Sequence, residues 1–270
     1  MIDAHAVLDV NGTRVHVSSW GTGPVVLCLH GLGGGAHFFE TTGVALADRY
    51  RTVALDFPGS GHSPVSPSIG FDGFGELVAA LVARESLTPL ALVGHSMGAI
   101  VALEAFRRSP GIARAFVSTG GIPEPLPESR RRIADRAGRI RRSGFAGIGQ
   151  EAAAANLSVL TREARPAVAA LFGRLFEMQP IDGYVATAGA LATWTAPPLP
   201  PLGGVRCLLI TGDEDRYAPP AAMRQFQKLL PAGTALEILD NCGHLPFFEV
   251  PAVFAALMRD FLERLDVRRP

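Results

Sequence analysis

The pentapeptide Gly94-His95-Ser96-Met97-Gly98 sits between an apolar run, Leu90-Ala91-Leu92-Val93, and a helix-forming run, Ala99-Ile100-Val101-Ala102-Leu103-Glu104. A strand that turns abruptly into a helix brings the two elements so close that side chains at the flanks of the turn would collide with them, hence glycine at both ends. The central residue is held in a strained backbone conformation, and a serine there presents its hydroxyl as a nucleophile. Ser96 is the candidate. Because G-x-S-x-G also marks ordinary loops, its meaning depends on what the chain supplies downstream.

A serine activated in this way needs an acid and then a histidine later in the chain. The acid lies in Leu208-Leu209-Ile210-Thr211-Gly212-Asp213-Glu214-Asp215-Arg216-Tyr217-Ala218-Pro219, an apolar strand, an acidic turn and a proline that opens the next helix. A carboxylate at the carboxyl end of that strand can accept the imidazole Nδ1 proton. Asp213, Glu214 and Asp215 compete for the role, and a solvated acidic loop is the plainer reading of all three. The base follows a last strand over residues 236–239, in Asp240-Asn241-Cys242-Gly243-His244-Leu245-Pro246, where Gly243 lets the loop turn back. Of the seven histidines, His5 and His16 fall in an N-terminal hairpin, His37 and His62 in loops, and His30 and His95 within the glycine motifs. Only His244 has the required order and loop.

The oxyanion that forms when a serine attacks a carbonyl needs backbone donors fixed beforehand. One is the amide of Met97, at the positive end of the following helix. The other belongs to the loop after Val25-Val26-Leu27-Cys28-Leu29, which reads His30-Gly31-Leu32-Gly33-Gly34-Gly35 and whose glycines permit close backbone approach. We assign it to Leu32. A phosphate-binding loop is the rival, but the lysine and the Ser/Thr of that motif are missing and the spacing does not fit a dinucleotide fingerprint.

With these pieces placed, the chain resembles the α/β-hydrolase superfamily from about Val7 to Leu265. The matching stretches are residues 30–33, Asp56-Phe57-Pro58-Gly59-Ser60-Gly61-His62-Ser63, the serine pentapeptide, residues 212–219, and Gly243-His244 with Glu249-Val250-Pro251. The resemblance implies that Asp215, four residues before Pro219, is the acid. It places His30 and Gly31 beside the substrate, and gives the 56–63 loop, D-x-x-G-x-G-x-S in the family, a structural role. Haloalkane dehalogenases and epoxide hydrolases of this fold usually carry an aspartate nucleophile, so Ser96 argues against both.

Independent patterns agree. At 270 residues and 48% hydrophobic content the chain can bury a large core. Asn11-Gly12 signals a hairpin. Apolar and β-branched runs near Val25, Val53, Leu90, Ala115, Cys207 and Leu236 alternate with helical stretches over 74–84, 99–108, 221–230 and 252–264. That alternation predicts an α/β fold, a mostly parallel sheet covered on both faces, and with the hairpin it matches the eight-stranded α/β-hydrolase fold.

Alternation stops over 123–204. This arginine- and alanine-rich segment is opened by Pro123, Pro125 and Pro127 and closed by Pro197, Pro198, Pro200 and Pro201. We therefore expect a core formed by 1–122 and 205–270 and an insertion over 123–204, where the family carries a helical cap that excludes water and selects substrate. Within it, Met178-Gln179-Pro180-Ile181-Asp182-Gly183-Tyr184 and the stretch to Trp194 resemble enol-lactonase and small esterase caps, and Trp194 is a candidate pocket residue, the alternative being a place in the cap core. The arginine-rich run over 130–142 reads as a solvated helix face, the alternative being one or two arginines that meet a substrate carboxylate. With 25 Lys and Arg against 25 Asp and Glu, no basic excess supports nucleic-acid binding.

The resulting expectation is a serine hydrolase that cleaves a carboxylic ester or lactone of a small organic molecule through an acyl-enzyme. Carbon–carbon hydrolases, thioesterases, cofactor-free haloperoxidases and lyases or cyclases keep the same serine and stand as alternatives, and a non-catalytic receptor is disfavoured because all three side chains are present. The chemistry calls for no cofactor and no metal. Cys28, Cys207 and Cys242 form no ligand cluster. No apolar run is long enough to span a membrane and Met1-Ile2-Asp3-Ala4-His5 lacks a leader pattern, so the expected location is the cytoplasm.

Overall fold

The N-terminal hairpin sets the edge of the sheet. Strand β1 (His5–Val10) pairs antiparallel with β2 (Thr13–Trp20), and Val10 faces Thr13 across Asn11 and Gly12. Both turn residues have positive φ, +51° and +82°, the two-residue turn whose twist matches that of the strands it joins. The computed structural model describes residues 4–67 and 69–266. Residues 1–3, part of the stretch read for a leader, lie outside the described residues.

The remaining strands are β3 (Val25–Leu29), β4 (Arg51–Leu55), β5 (Pro89–His95), β6 (Ala115–Thr119), β7 (Arg206–Gly212) and β8 (Ala235–Leu239). They complete an eight-stranded sheet in the order β1-β2-β4-β3-β5-β6-β7-β8. From β4 onward every pairing is parallel. β5 and β6 are buried along their whole length, which is why they read as unbroken apolar runs rather than alternating ones. The serine turn thus stands at the carboxyl end of a central strand.

Helices α1 (Glu40–Leu46), α2 (Phe71–Arg84), α3 (Met97–Arg108), α9 (Pro220–Gln227), α10 (Pro246–Glu249) and α11 (Pro251–Asp266) belong to the sheet-covering layers. α1 escaped the sequence reading because Glu40-Thr41-Thr42-Gly43-Val44 has weak helix propensity, and its burial against β4 and α11 supplies what propensity does not. α3 is buried from Met97 through Phe106, sandwiched between the sheet and α2.

Five helices fill the chain between β6 and β7: α4 (Pro127–Ser143), α5 (Ile148–Asn156), α6 (Val159–Ala164), α7 (Pro166–Glu177) and α8 (Ile181–Thr193). α4 packs on α8 and α5 on α7. Among the attachments that tie this unit to the sheet layer, two involve backbone groups on both sides. At the first, a Cβ on Gly183 would fall 2.0 Å from the Gly59 carbonyl oxygen, so α8 lies backbone to backbone on the 56–63 loop, and Gln179 Oε1 accepts from the Gly61 amide at 3.1 Å. At the second, the buried Glu249 carboxylate accepts from the Ser158 amide at 2.7 Å, and from the Gly243 and Leu245 amides at 2.9 and 3.2 Å.

Glu249 therefore satisfies amides of both units at once. We expect Glu249→Ala to lower unfolding free energy by roughly 2–4 kcal/mol in urea titration, because buried donors lose a charged acceptor. Cys28, Cys207 and Cys242 are all buried, and burial pushes their thiols up, Cys207 to about 11. Native protein should leave Ellman's reagent unreacted, with all three thiols titrating once guanidinium unfolds it.

Candidate active site

The sharp turn after β5 gives Ser96 φ +52° and ψ −118°, strained for a residue with a side chain. The strain follows from close packing. A Cβ at Gly98 would fall 2.0 Å from the Leu29 carbonyl oxygen, and one at Gly94 would fall 2.4 Å from the Ala99 nitrogen. The Ser96 amide donates to the Thr119 carbonyl at 2.8 Å, which fixes the turn to β6.

His244 Nδ1 donates to Asp215 Oδ2 at 2.8 Å, with side chains 5% and 0% exposed. The other carboxylate oxygen of Asp215 accepts from the Tyr217 and Ala218 amides at 2.8 and 2.9 Å, so the acid is held in one orientation. Its two acidic neighbours face elsewhere. Asp213 accepts from the Cys242 amide at 3.1 Å, and Glu214 from the Val159 amide at 2.9 Å. Of the three carboxylates left open by the sequence, Asp215 is the one brought to the imidazole.

The His244 backbone is held on both sides. Its amide donates to the Asn156 carbonyl of α5 at 2.6 Å, and its carbonyl accepts from His95 Nε2 at 2.9 Å. His95 and Tyr217 place their rings 4.8 Å from the imidazole on centroid separation. Burial, with His244 nearby, pushes His95 well below the usual histidine range, so it stays neutral. None of these supports was named as a site residue from the sequence. Tyr217 was visible as an aromatic in the acidic turn, whereas Asn156 acts through its main chain, which carries no residue-type signal.

Ser96 lies between two small apolar lobes of about 30 Å³ each. One is lined by Leu32, Phe38, Phe172, Phe176, Arg136 and His244, the other by Met97, Ile100, Ile122, Pro125 and Ser129, while Ile133, Leu191 and Tyr217 border both. Leu32 occupies the second position of the turn closed by the Gly34 amide on the Gly31 carbonyl at 3.1 Å, and Met97 is the first residue of α3. The amide of a first helical residue has no partner within its helix, leaving it for a ligand. Wider surface grooves of about 610 and 650 Å³ share Pro110, Gly111, Ala113 and Arg114, at the opposite ends of the strands. Open parallel sheets bind ligands at the carboxyl ends, where Ser96 is.

Three residues assigned to substrate from the sequence sit differently. His30 is fully buried with both ring nitrogens engaged, Nδ1 donating to the Gly31 carbonyl at 2.8 Å and Nε2 accepting from the Phe57 amide at 3.0 Å. It braces the glycine loop. Gly31 packs against the machinery rather than a ligand, since a Cβ there would fall 2.7 Å from His95 Nδ1 and 3.0 Å from the Ser96 Cβ. Trp194 donates from Nε1 to the Pro123 carbonyl at 3.0 Å and packs on Phe71 at 4.8 Å, and it lines neither lobe beside Ser96.

Among the described residues, His16, Asp56 and His62 form one group whose geometry could hold a metal ion. Its hydrogen bonds show a structural task. Asp56 accepts from the amides of Ala36 at 2.6 Å and His62 at 2.9 Å and from His16 Nδ1 at 3.0 Å, which joins β2, the glycine loop and the 56–63 loop. No helix among the described residues is long and apolar enough to cross a membrane.

Comparison with known proteins points the same way as the geometry. Residues 24–251 match the family described as alpha/beta hydrolase fold. A pimeloyl-[acyl-carrier protein] methyl ester esterase of Chromobacterium violaceum is 27% identical over 93% of this chain and 98% of its own. The same esterase of Methylococcus capsulatus is 36% identical, but the match spans only 42% of each chain. The enol-lactonase of Burkholderia xenovorans LB400 superposes with a TM-score of 0.85 at 22% identity, over 96% of this chain and all of that one (100%). A family match that takes in six of the eight strands, β3 to β8, and most of the chain makes this chain a member of the α/β hydrolase fold family of enzymes.

Proposed function

We propose that the protein is a serine hydrolase that cleaves a carboxylic ester or lactone of a small molecule. One observation carries the reading: Ser96 and His244 line a single lobe, and the imidazole is bonded at Nδ1 to a fully buried carboxylate. Asp215 holds Nδ1–H, which leaves Nε2 as the basic nitrogen. Ser96 Oγ attacks the carbonyl carbon as Nε2 takes its proton, and the oxyanion is received by the amides of Leu32 and Met97. The imidazolium then protonates the departing alkoxide. Water, deprotonated by the same nitrogen, attacks the acyl-enzyme, and Ser96 is released with a carboxylic acid and an alcohol, or a hydroxy acid from a lactone.

In this reading α4 to α8 act as a cap. They supply Arg136, Phe172, Phe176 and Leu191 to the lobe walls and exclude water from the oxyanion. Each lobe has room for a few waters only, so an ester enters by parting these helices from the sheet layer. The likeness to a methyl ester esterase and an enol-lactonase supports an ester or lactone carbonyl as the target.

Steady-state hydrolysis of p-nitrophenyl esters and simple lactones tests this. Wild type should turn over many times and Ser96→Ala should lose at least about 10³-fold in kcat. Asp215→Asn should lose roughly 10³–10⁴-fold in kcat, while Asp213→Asn and Glu214→Gln stay close to wild type. Undiminished turnover in Ser96→Ala sinks the reading.

A further inference from the structure

The arginines of α4 differ in how their charge is met. Arg131, Arg141 and Arg142 are exposed to water. Arg130, Arg132 and Arg139 face carboxylates, of Glu124 at 2.5 Å, Glu128 at 3.4 Å and Glu151 at 2.6 Å. Arg136 has neither arrangement. It stands three residues after Ile133 and four before Ile140, beside the stripe that α4 buries, so helical geometry turns it partly inward. Among the described residues no carboxylate pairs with it.

Its surroundings are those of a charge awaiting a partner. The guanidinium lies over the Phe176 ring at 5.4 Å, Nη2 donates to the Tyr217 hydroxyl at 3.3 Å, and Nε is buried with no hydrogen-bond partner. A guanidinium stays protonated at any physiological pH, and Arg136 is half-buried with one neutral hydrogen-bond partner, the Glu151 carboxylate that acts on it from farther off being held by Arg139, so part of its charge is unmet. Beside it, Tyr184 packs on Phe145 and Phe176 at 5.3 and 5.4 Å, with a buried hydroxyl that also lacks a partner. Burial pushes that phenol up to about 12, so it remains a neutral donor. Arg136 lines the same lobe as Ser96 and His244, whose other walls are largely apolar.

We propose that Arg136 receives a carboxylate carried by the substrate, so that the natural ester or lactone is a small molecule with a free acid group. A planar fork with two or more N–H groups to offer matches a carboxylate bidentately. One guanidinium among apolar walls balances one negative charge, which fits a carboxylate better than a phosphate dianion. The chemistry assigned to the bound molecule rests on the serine hydrolase reading, whereas the anion site itself does not.

The test pairs monomethyl succinate, glutarate and adipate with methyl butyrate, valerate and hexanoate, in which a methyl replaces the acid. Wild type should favour the acid-bearing member of at least one pair in kcat/KM by about 30-fold or more, mainly through KM. Arg136→Gln should collapse that ratio, and Arg136→Lys, which keeps charge without the fork, should recover part of it. Circular dichroism and phosphonate labelling of Ser96 show whether each variant is folded. The wild-type ratio needs no variant at all. Equal use of both members of every pair, or a ratio that survives Arg136→Gln, overturns the proposal.

Calorimetric titration of Ser96→Ala with the monomethyl esters separates the two readings. Binding that disappears in Ser96→Ala/Arg136→Gln supports the anion site even if no ester is turned over by wild type. With turnover absent, no binding by Ser96→Ala overturns the anion site.

Discussion

The approach of α3 to the ends of β3 and β5 is the constraint on which the rest of the site depends. α3 is buried over most of its length, and it can reach that depth only if its first turn lies against the Leu29 carbonyl. No side chain fits at Gly94 or Gly98, and the one residue between them with room for a functional group is forced to φ +52°. Core packing and the presentation of the Ser96 hydroxyl are therefore the same event. The backbone strain at Ser96, of the order of 1–3 kcal/mol for such conformations, is offset by apolar burial on either side.

The imidazole is placed by a different logic. No regular element carries His244; it sits on a loop whose position is defined by hydrogen bonds from three directions. Glu249 gathers the loop's own amides, His95 holds its carbonyl, and α5 accepts its amide. Asp215 then has only the ring left to orient. Every one of these partners is buried, and at such depth a misplaced loop would leave unmet donors, so the base has one stable position.

Legibility followed the same division. The strand runs of the parallel sheet, the hairpin and the serine turn could be read because they depend on residue types that steric exclusion demands: glycine where no Cβ fits, and apolar runs where both faces are covered. Asp215 was separable from Asp213 and Glu214 only through the family pattern, since three adjacent carboxylates on one turn differ by direction rather than by chemistry. Trp194 stayed open between pocket wall and cap core because a large aromatic near a pocket and one packed in a hydrophobic seam look alike in sequence. Arg136 was grouped with the solvated arginines although its spacing from Ile133 and Ile140 put it beside the buried stripe, the signal that set it apart.

The hydrogen bond from the His244 amide to the Asn156 carbonyl has a consequence for how such an enzyme can diversify. Helices that shape the pocket also suspend His244, through a main-chain group that no substitution at position 156 would remove. Insertions of this kind are not interchangeable modules. A chimera that borrowed another protein's helices would need a carbonyl at the same point in space for the His244 amide and an N–H group for Glu249, or it would gain a new pocket and lose the alignment of its base. New specificity on this scaffold is more accessible through side chains facing Ser96 than through exchange of the helices that bear them.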